Sequence, residues 1–408
     1  MARVVREDPV RRGLLYAGTD TGVFVSFDDG DSWETLQLNL PPASVTDLNV
    51  HGNDLAASTF GRALWIFDDL TPIREMSAKV SDSEVYLFPP AEALRVRWDN
   101  FQDTPYPPET PAGRNPPDGA IIDYFLKSSP AGEITMTVYD NQGKEVRRFS
   151  NEAKAADLPP PNVPSYWFAP VAKLPKAAGL NRFVWDLRYP PPLTLPYGYY
   201  GKLLEYTEYT LADHAIPGNT PREQPQGPLV VPGNYTVELS ALGQVVRQPL
   251  TVKLDPRLRT SNADLQAQVE LEQRIALGMA ASFRAYHQVA ALRAALAERK
   301  KTLGTQDAAV ALEKKIDAVD EGTRTAPGFG PLNRDLARLA ESAGSADIRP
   351  TETVRTAVED KCKSLDAAVT KWREVNQQDL SGFNAQLQAK KLAPLPVVEV
   401  AAKAGCVL

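Results

Sequence analysis

The chain has 408 residues, of which 43% are apolar and 24% charged, the balance of a globular protein. A formal net charge of −6 leaves no basic footprint and argues against nucleic acid as a partner. Two cysteines and no run of 18 apolar residues exclude a disulfide framework and a membrane-spanning helix.

Residues 1–75 contain a repeat. "LYAGTDTGVFVSFDD" (15–29) overlies "LAASTFGRALWIFDD" (55–69) at an offset of 40 residues, with Leu15/Leu55, Ala17/Ala57, Thr19/Thr59, Phe27/Phe67, Asp28/Asp68 and Asp29/Asp69 coinciding. Short apolar runs between Gly, Asp and Asn predict strands in both copies. A period of roughly 40–45 residues with short strands suits a β-propeller blade. Two units cannot close a propeller, and an unclosed pair leaves strand edges open. Further blades are therefore expected upstream.

Residues 76–117 read as a Pro-rich linker, with one strand at most in "YLFPPAEALRVRW". Of the 35 prolines, 24 fall between Pro89 and Pro232, so the enrichment is regional. Residues 118–258 carry six strand-like runs, from "AIIDYFL" to "QPLTVKLD", with a turn at "YDNQGKEV", where Gly143 admits positive φ. This spacing suggests an immunoglobulin-like β-sandwich with long loops. From 259 to 392 the apolar positions recur at helical spacing, as in Leu265, Val269, Leu271, Ile275 and Met279. Four helices in an antiparallel bundle are predicted. The first opens on Ser261 and Asp264, a capping pair, and the third carries Pro331 in its first turn. Residues 393–408 read as an extended tail. The fold class is thus multidomain, mainly β and then α.

Cys362 and Cys406 fit either one disulfide in an oxidising compartment or two unrelated thiols. The histidines, His51, His214 and His287, show no metal-ligand spacing with one another or with a cysteine. No metal and no cofactor is expected.

"SFDDGDSW" (26–33) has Ser26, Asp28, Gly30, Ser32 and Trp33 at every fixed position of the Asp-box pattern. With the degenerate second copy, it resembles the final blades of bacterial BNR (Asp-box) propeller proteins. Those are often labelled glycosyl hydrolase, exo-sialidase-like or sortilin-like. The resemblance extends through "GLNRFVWDLRYP" and "GPLVVPGNYTVEL" and covers nearly the whole chain. It implies terminal propeller blades, an immunoglobulin-like module and a helical tail in a secreted or periplasmic parent. The implied partners are the missing upstream blades and a protein or glycan ligand. The second copy has Leu70 where the box requires Gly, and Phe60 stands where the family often shows His.

The two adjacent acids could be catalytic or could tie a turn. Glycoside hydrolysis needs two carboxyl groups facing one sugar, about 5–9.5 Å apart. Strand neighbours point to opposite faces, whereas Asp and Ser side chains readily accept turn N–H groups. The turn reading is preferred, with Trp33 packing over it, and in related sialidases the box lies away from the substrate. A sialidase-like site would also need three Arg, a Tyr with a Glu, and an Asp. Arg62, beside Gly61, is the one candidate Arg. Tyr197, Tyr199, Tyr200, Tyr206 and Tyr209 crowd a Pro- and Gly-bounded loop and form a possible binding surface, or pack the loop on itself. No catalytic residue is assigned. The function expected is a non-catalytic structural or binding region; the alternative is part of a glycoside hydrolase, sialidase-like or xyloglucanase-like, with its active site mainly upstream.

Overall fold

The computed structural model describes residues 1–97, 109–110, 113, 115–154, 171–195, 226–303 and 307–406. It is a mixed β and α chain with several sheets followed by a helical region. The 40-residue repeat forms two sheets. The first has strands β1 (Ala2–Glu7), β2 (Leu15–Thr19), β3 (Val23–Ser26) and β4 (Glu34–Thr35) in that order. The second has β5 (Val45–His51), β6 (Asp54–Thr59) and β7 (Leu64–Phe67). They share one core that includes Leu14, Tyr16, Val25, Val45, Leu48 and Leu55. Gly18 makes the close approach possible, because a β-carbon there would lie 2.7 Å from side-chain atoms of both Val4 and Val45. The repeat is visible in hydrogen bonds too. Thr19 closes its hairpin on the Gly22 carbonyl and Thr59 on that of Ala63, each through backbone N–H and hydroxyl.

Two short helices follow, α1 (Thr71–Glu75) and α2 (Ala78–Asp82). The α1 carbonyl end is held by Arg11, whose Nη1 donates to the carbonyls of Ile73, Arg74 and Met76. The stretch read as a linker then supplies two strands, β8 (Val85–Leu87) and β9 (Ala93–Arg95). Both are too short to carry a period, and prolines separate them, which hid their pairing. β8 joins β10 (Ala120–Leu126) and β13 (Gly179–Trp185) in a three-stranded sheet. β9 runs parallel to β15 (Gln244–Leu254), on the edge of a five-stranded sheet with β11 (Thr135–Tyr139), β12 (Glu145–Ser150) and β14 (Gly233–Ala241). The two sheets share a core that includes Ile122, Tyr124, Met136, Trp185 and Val237. The predicted turn is present: Gly143, at φ +76°, donates to the Asp140 carbonyl, and the Gln142 N–H is taken by the Asp140 carboxylate.

The helical region contains α3 (Asn262–Leu303), α4 (Asp307–Asp320), α5 (Phe329–Gly344), α6 (Glu352–Glu374) and α7 (Leu380–Ala389). A π-helical turn at Val375–Asp379 joins α6 to α7, where the periodicity predicts one continuous helix. The Ser261–Asp264 cap forms as expected: the Asp264 N–H donates to Ser261 Oγ at 3.2 Å, and that hydroxyl donates to the Asp264 carboxylate at 2.6 Å. One apolar core runs through the helices, with Trp372, Phe329, Met279 and Leu365 fully enclosed. Asn333 on α5 is enclosed as well. Its amide donates to the carbonyls of Leu193 and Met279 and accepts from the Leu195 N–H, tying the segment after β13 to the helices.

Cys362 and Cys406 pair as a disulfide across 44 residues, so the tail is not free. Closing a loop of that size corresponds to about 4 kcal/mol in the chain-entropy account. The bond packs on α3 at Gly278, where a β-carbon would lie 2.9 Å from the Cys406 sulfur and 3.1 Å from Leu336 Cδ1. Alanine at 278 would raise helix propensity yet force these neighbours apart. Gly278→Ala is expected to destabilise the chain by about 1–3 kcal/mol in chemical denaturation. The loss should shrink in the background lacking both cysteines.

Candidate functional site

β3 ends at Ser26, and the Asp-box residues fold into a turn closed by their own side chains. Ser26 Oγ donates to Asp28 Oδ1 at 2.8 Å and accepts from the Gly30 N–H at 2.9 Å. Asp28 Oδ1 also accepts the Ser32 N–H at 2.9 Å, and Oδ2 accepts the Ser32 hydroxyl. The Ser32 hydroxyl and N–H, aided by the Ser26 hydroxyl, hold the Asp28 carboxyl at about 2, well below its ordinary value. A carboxylate with both oxygens engaged and a depressed pKa cannot serve as a general acid. Asp29 occupies the left-handed region at φ +60°, followed by Gly30 at φ +97°, and the Asp29 N–H donates to the Gly13 carbonyl. Trp33 does not bury itself as the sequence suggests. Its indole N–H bonds the Gly30 carbonyl at 3.1 Å, while the residue stays 39% exposed. The ring lies near Gly30, where a β-carbon would stand 3.9 Å from Trp33 Cζ2.

The second copy keeps part of this design. Asp69 adopts φ +59°, matching Asp29, and Trp65 donates to the Arg62 carbonyl at 2.8 Å, matching Trp33 and Gly30. Leu70 is buried in a helical conformation, so the chain enters α1 where the first copy makes β4. Asp69 steers that change, accepting the Thr71 N–H at 3.0 Å. Arg62 is exposed in the loop between Gly61 and Ala63, with its carbonyl used by Trp65. No second arginine accompanies it in that loop. Tyr197, Tyr199, Tyr200, Tyr206, Tyr209 and His214 lie outside the described residues. His51 ends β5, and His287 stacks edge-on against Phe283 at 4.4 Å, as structural histidines. Among the described residues no group of three or more His, Cys, Asp or Glu converges in a way that could hold a metal ion.

Two groups of charged residues join separate elements at seams of the fold, and sequence reading missed both. At the first, Arg182 on β13 faces Asp123 on β10 in direct register. Its Nε and Nη2 donate to the two carboxylate oxygens at 2.8 and 2.9 Å. The same guanidinium donates to the carbonyls of Asp68 and Asp69 at 2.5 and 3.1 Å and lies over the Phe67 ring. One side chain thus joins the repeat sheets to the next pair of sheets. Burial pushes the Asp123 carboxyl up, against the pull of Arg182.

At the second seam, Arg95 on β9 is fully buried. Nη1 donates to the carbonyls of Leu229 and Val230 at 2.8 and 2.6 Å, and Nη2 donates to Asp347 at 2.7 Å. Arg97 Nε reaches the same Asp347 oxygen at 2.6 Å. Glu272, one turn beyond Gln268 on α3, is buried beside this group, and its Oε1 would lie 2.8 Å from a β-carbon at Gly344. Burial raises the Glu272 carboxyl to about 7 despite the opposing charges of Arg97, Arg188 and Arg95. The available signals were Asp123 inside the apolar run "AIIDYFL" and the paired arginines of "ALRVRW". Neither names its partner.

No family model matches this chain, and no curated protein matches it. The described helices include none long and apolar enough to cross a membrane. At both seams an arginine bridges separate elements, through Asp123 and two carbonyls in the first and through Asp347 and two carbonyls in the second.

Two outcomes follow from the seams. Asp123→Ala leaves a half-buried guanidinium without its carboxylate and is expected to cost about 3 kcal/mol in denaturant unfolding, whereas Arg182→Lys should lose less. Glu272 ionises near 4.5 when unfolded and near 7 when folded, so the folded state holds a proton that the unfolded chain has released between those values. Stability attributable to it is present at low pH and falls as pH rises from about 4.5 to about 7. Glu272→Gln, uncharged throughout, should exceed the parent chain by on the order of 3 kcal/mol at pH 8 and match it at pH 4. Denaturation curves at the two pH values check this.

Proposed function

We propose that the chain is a non-catalytic structural and binding region of a larger Asp-box propeller protein of the secreted or periplasmic kind. In this reading β1–β4 and β5–β7 are terminal blades, β8–β15 form an immunoglobulin-like module, and the helices form an antiparallel bundle. The observation that carries it is the Asp28 carboxylate, both of whose oxygens are consumed within its own turn. An acid committed in this way stabilises a hairpin and is held charged by its own turn.

Two further features support the reading. The second repeat sheet has three strands where the first has four. Its outer strand leaves Leu64 and Ile66 exposed, and Phe60, in the loop before it, is 80% exposed. Apolar surface of this kind suits cover by neighbouring protein. The buried disulfide is the sort that persists in oxidising compartments. The ligand would be a protein or a glycan.

The purified chain is expected to release no product from a panel of sialosides and β-glucans, and to retain a ligand from a glycan array or a periplasmic extract. Hydrolysis that Asp28→Asn abolishes would overturn the non-catalytic reading.

A further inference from the structure

The last residues of the chain form a strap laid along the helices in reverse order. Leu395 sits at Asn384, Val398 at Asn376, Ala404 at Asp366 and Cys406 at Cys362. The contacts are mostly to the strap backbone. The Asn384 amide donates to the Leu395 carbonyl at 2.9 Å and accepts the Leu395 N–H at 2.7 Å. Asn376 repeats that reciprocal pair on Val398. Asp366 accepts the Ala404 N–H at 2.7 Å, and Arg274 donates to the Cys406 carbonyl at 3.0 Å. Both asparagines are buried, at 1% and 8% exposure, so their amides have no competing water.

The lengths agree. From residue 362 to residue 384 a helix rises about 33 Å, and from 395 to 406 an extended chain spans about 36 Å. The π-helical turn has a purpose in this match. Asn376 and Asn384 are eight residues apart, which in an α-helix would set them about 80° apart around the axis. A π turn takes up one extra residue, and the two amides come into line. π-helical turns are frequent at functional sites.

We propose that the helical region carries a peptide-binding groove that reads backbone, and that the strap of a second copy of this chain can occupy it in place of the chain's own. An identical strap makes identical contacts, so exchange changes only the hinge at residues 390–392. There Lys391 stands at φ +58°, the left-handed residue that ends α7, and the Leu392 N–H donates to the Leu387 carbonyl at 2.9 Å, so the hinge is a short helix end. Exchange of one element between identical chains is a low-cost route to a dimer. The groove supplies two reciprocal amide clamps, a place in the apolar core for Leu395, and a covalent end point at Cys362.

The test uses two full-length variants. Cys362→Ser keeps only Cys406, and Cys406→Ser keeps only Cys362, so a native-type disulfide can form only between copies. With oxidised glutathione as the oxidant, two thiols give one intermolecular disulfide and two molecules of reduced glutathione. The mixture is expected to give a covalent heterodimer at least tenfold above either variant alone. Asn376→Ala with Asn384→Ala in the copy bearing Cys362 should cut the yield severalfold. A yield no higher than for the separate variants, or one indifferent to the asparagine changes, overturns the proposal. A second measurement needs no substitution. The parent chain is reduced and reoxidised at high and low concentration and sized by light scattering. Dimer enriched at high concentration supports exchange, and a monomer at every concentration refutes it.

Discussion

A single guanidinium, that of Arg95, sets the arrangement of the later half of the molecule. It is fully buried, and one fork of it holds two consecutive carbonyls, of Leu229 and Val230, while the other reaches Asp347 and, at 3.4 Å, Gln268. Those four partners belong to the segment before β14, the turn after α5 and the longest helix. Gln268 in turn donates to the carbonyls of Ala343 and Ala346, closing the C-terminal end of α5. The group is directional more than it is cheap. Arg95 Nε and Asp347 Oδ2 are buried with no hydrogen-bond partner among the described residues. Burying such groups carries a desolvation penalty that apolar residues would avoid. What the arginine provides is a defined angle between sheets and helices, which oily contact alone leaves loose.

The other seam shows how a repeat becomes an ending. Asp29 and Asp69 take the same left-handed conformation 40 residues apart. In the first copy Gly30 continues the turn toward another strand. In the second Leu70 plugs the core and the chain becomes helical, which leaves the carbonyls of Asp68 and Asp69 facing Arg182. The departure from the repeat pattern is therefore the attachment point. A similar economy appears at Asp8, whose carboxylate accepts from Val10, Arg11, Tyr16 and Arg74. Burial alone would raise that acid, but the N–H groups of Arg11 and Val10, with Arg74 and Tyr16, hold it below its ordinary range.

Much of the framework could be read from residue order. The strands of both repeat copies, six strands of the middle region, the Ser261–Asp264 cap and the Asp28 turn all rest on neighbours close in sequence, where period and turn chemistry speak directly. The features that escaped rest on distant partners. Asp123 and Arg182 are 59 residues apart, and Arg95 and Asp347 are 252 apart. No local pattern records such a meeting. β8 and β9 are strands because longer strands pair with them, and their own three residues carry little preference. The π turn inside α6–α7 leaves the apolar spacing nearly intact, so periodicity passes over it. For the cysteines, composition allowed a bond and a pair of thiols equally, and only the path of the tail across α6 decided between them.

Gly278, Cys362 and Cys406 form one packing unit. The glycine leaves room for the Cys406 sulfur and for Leu336, at a helical position where most residues would otherwise be preferred. A lineage that lost either cysteine would lose the reason for the glycine as well, and drift at 278 would soon supply a side chain. Return would then require two coordinated changes, since a restored cysteine would meet an occupied site. The loss of this crosslink is thus a ratchet: easy to pass once, and hard to reverse.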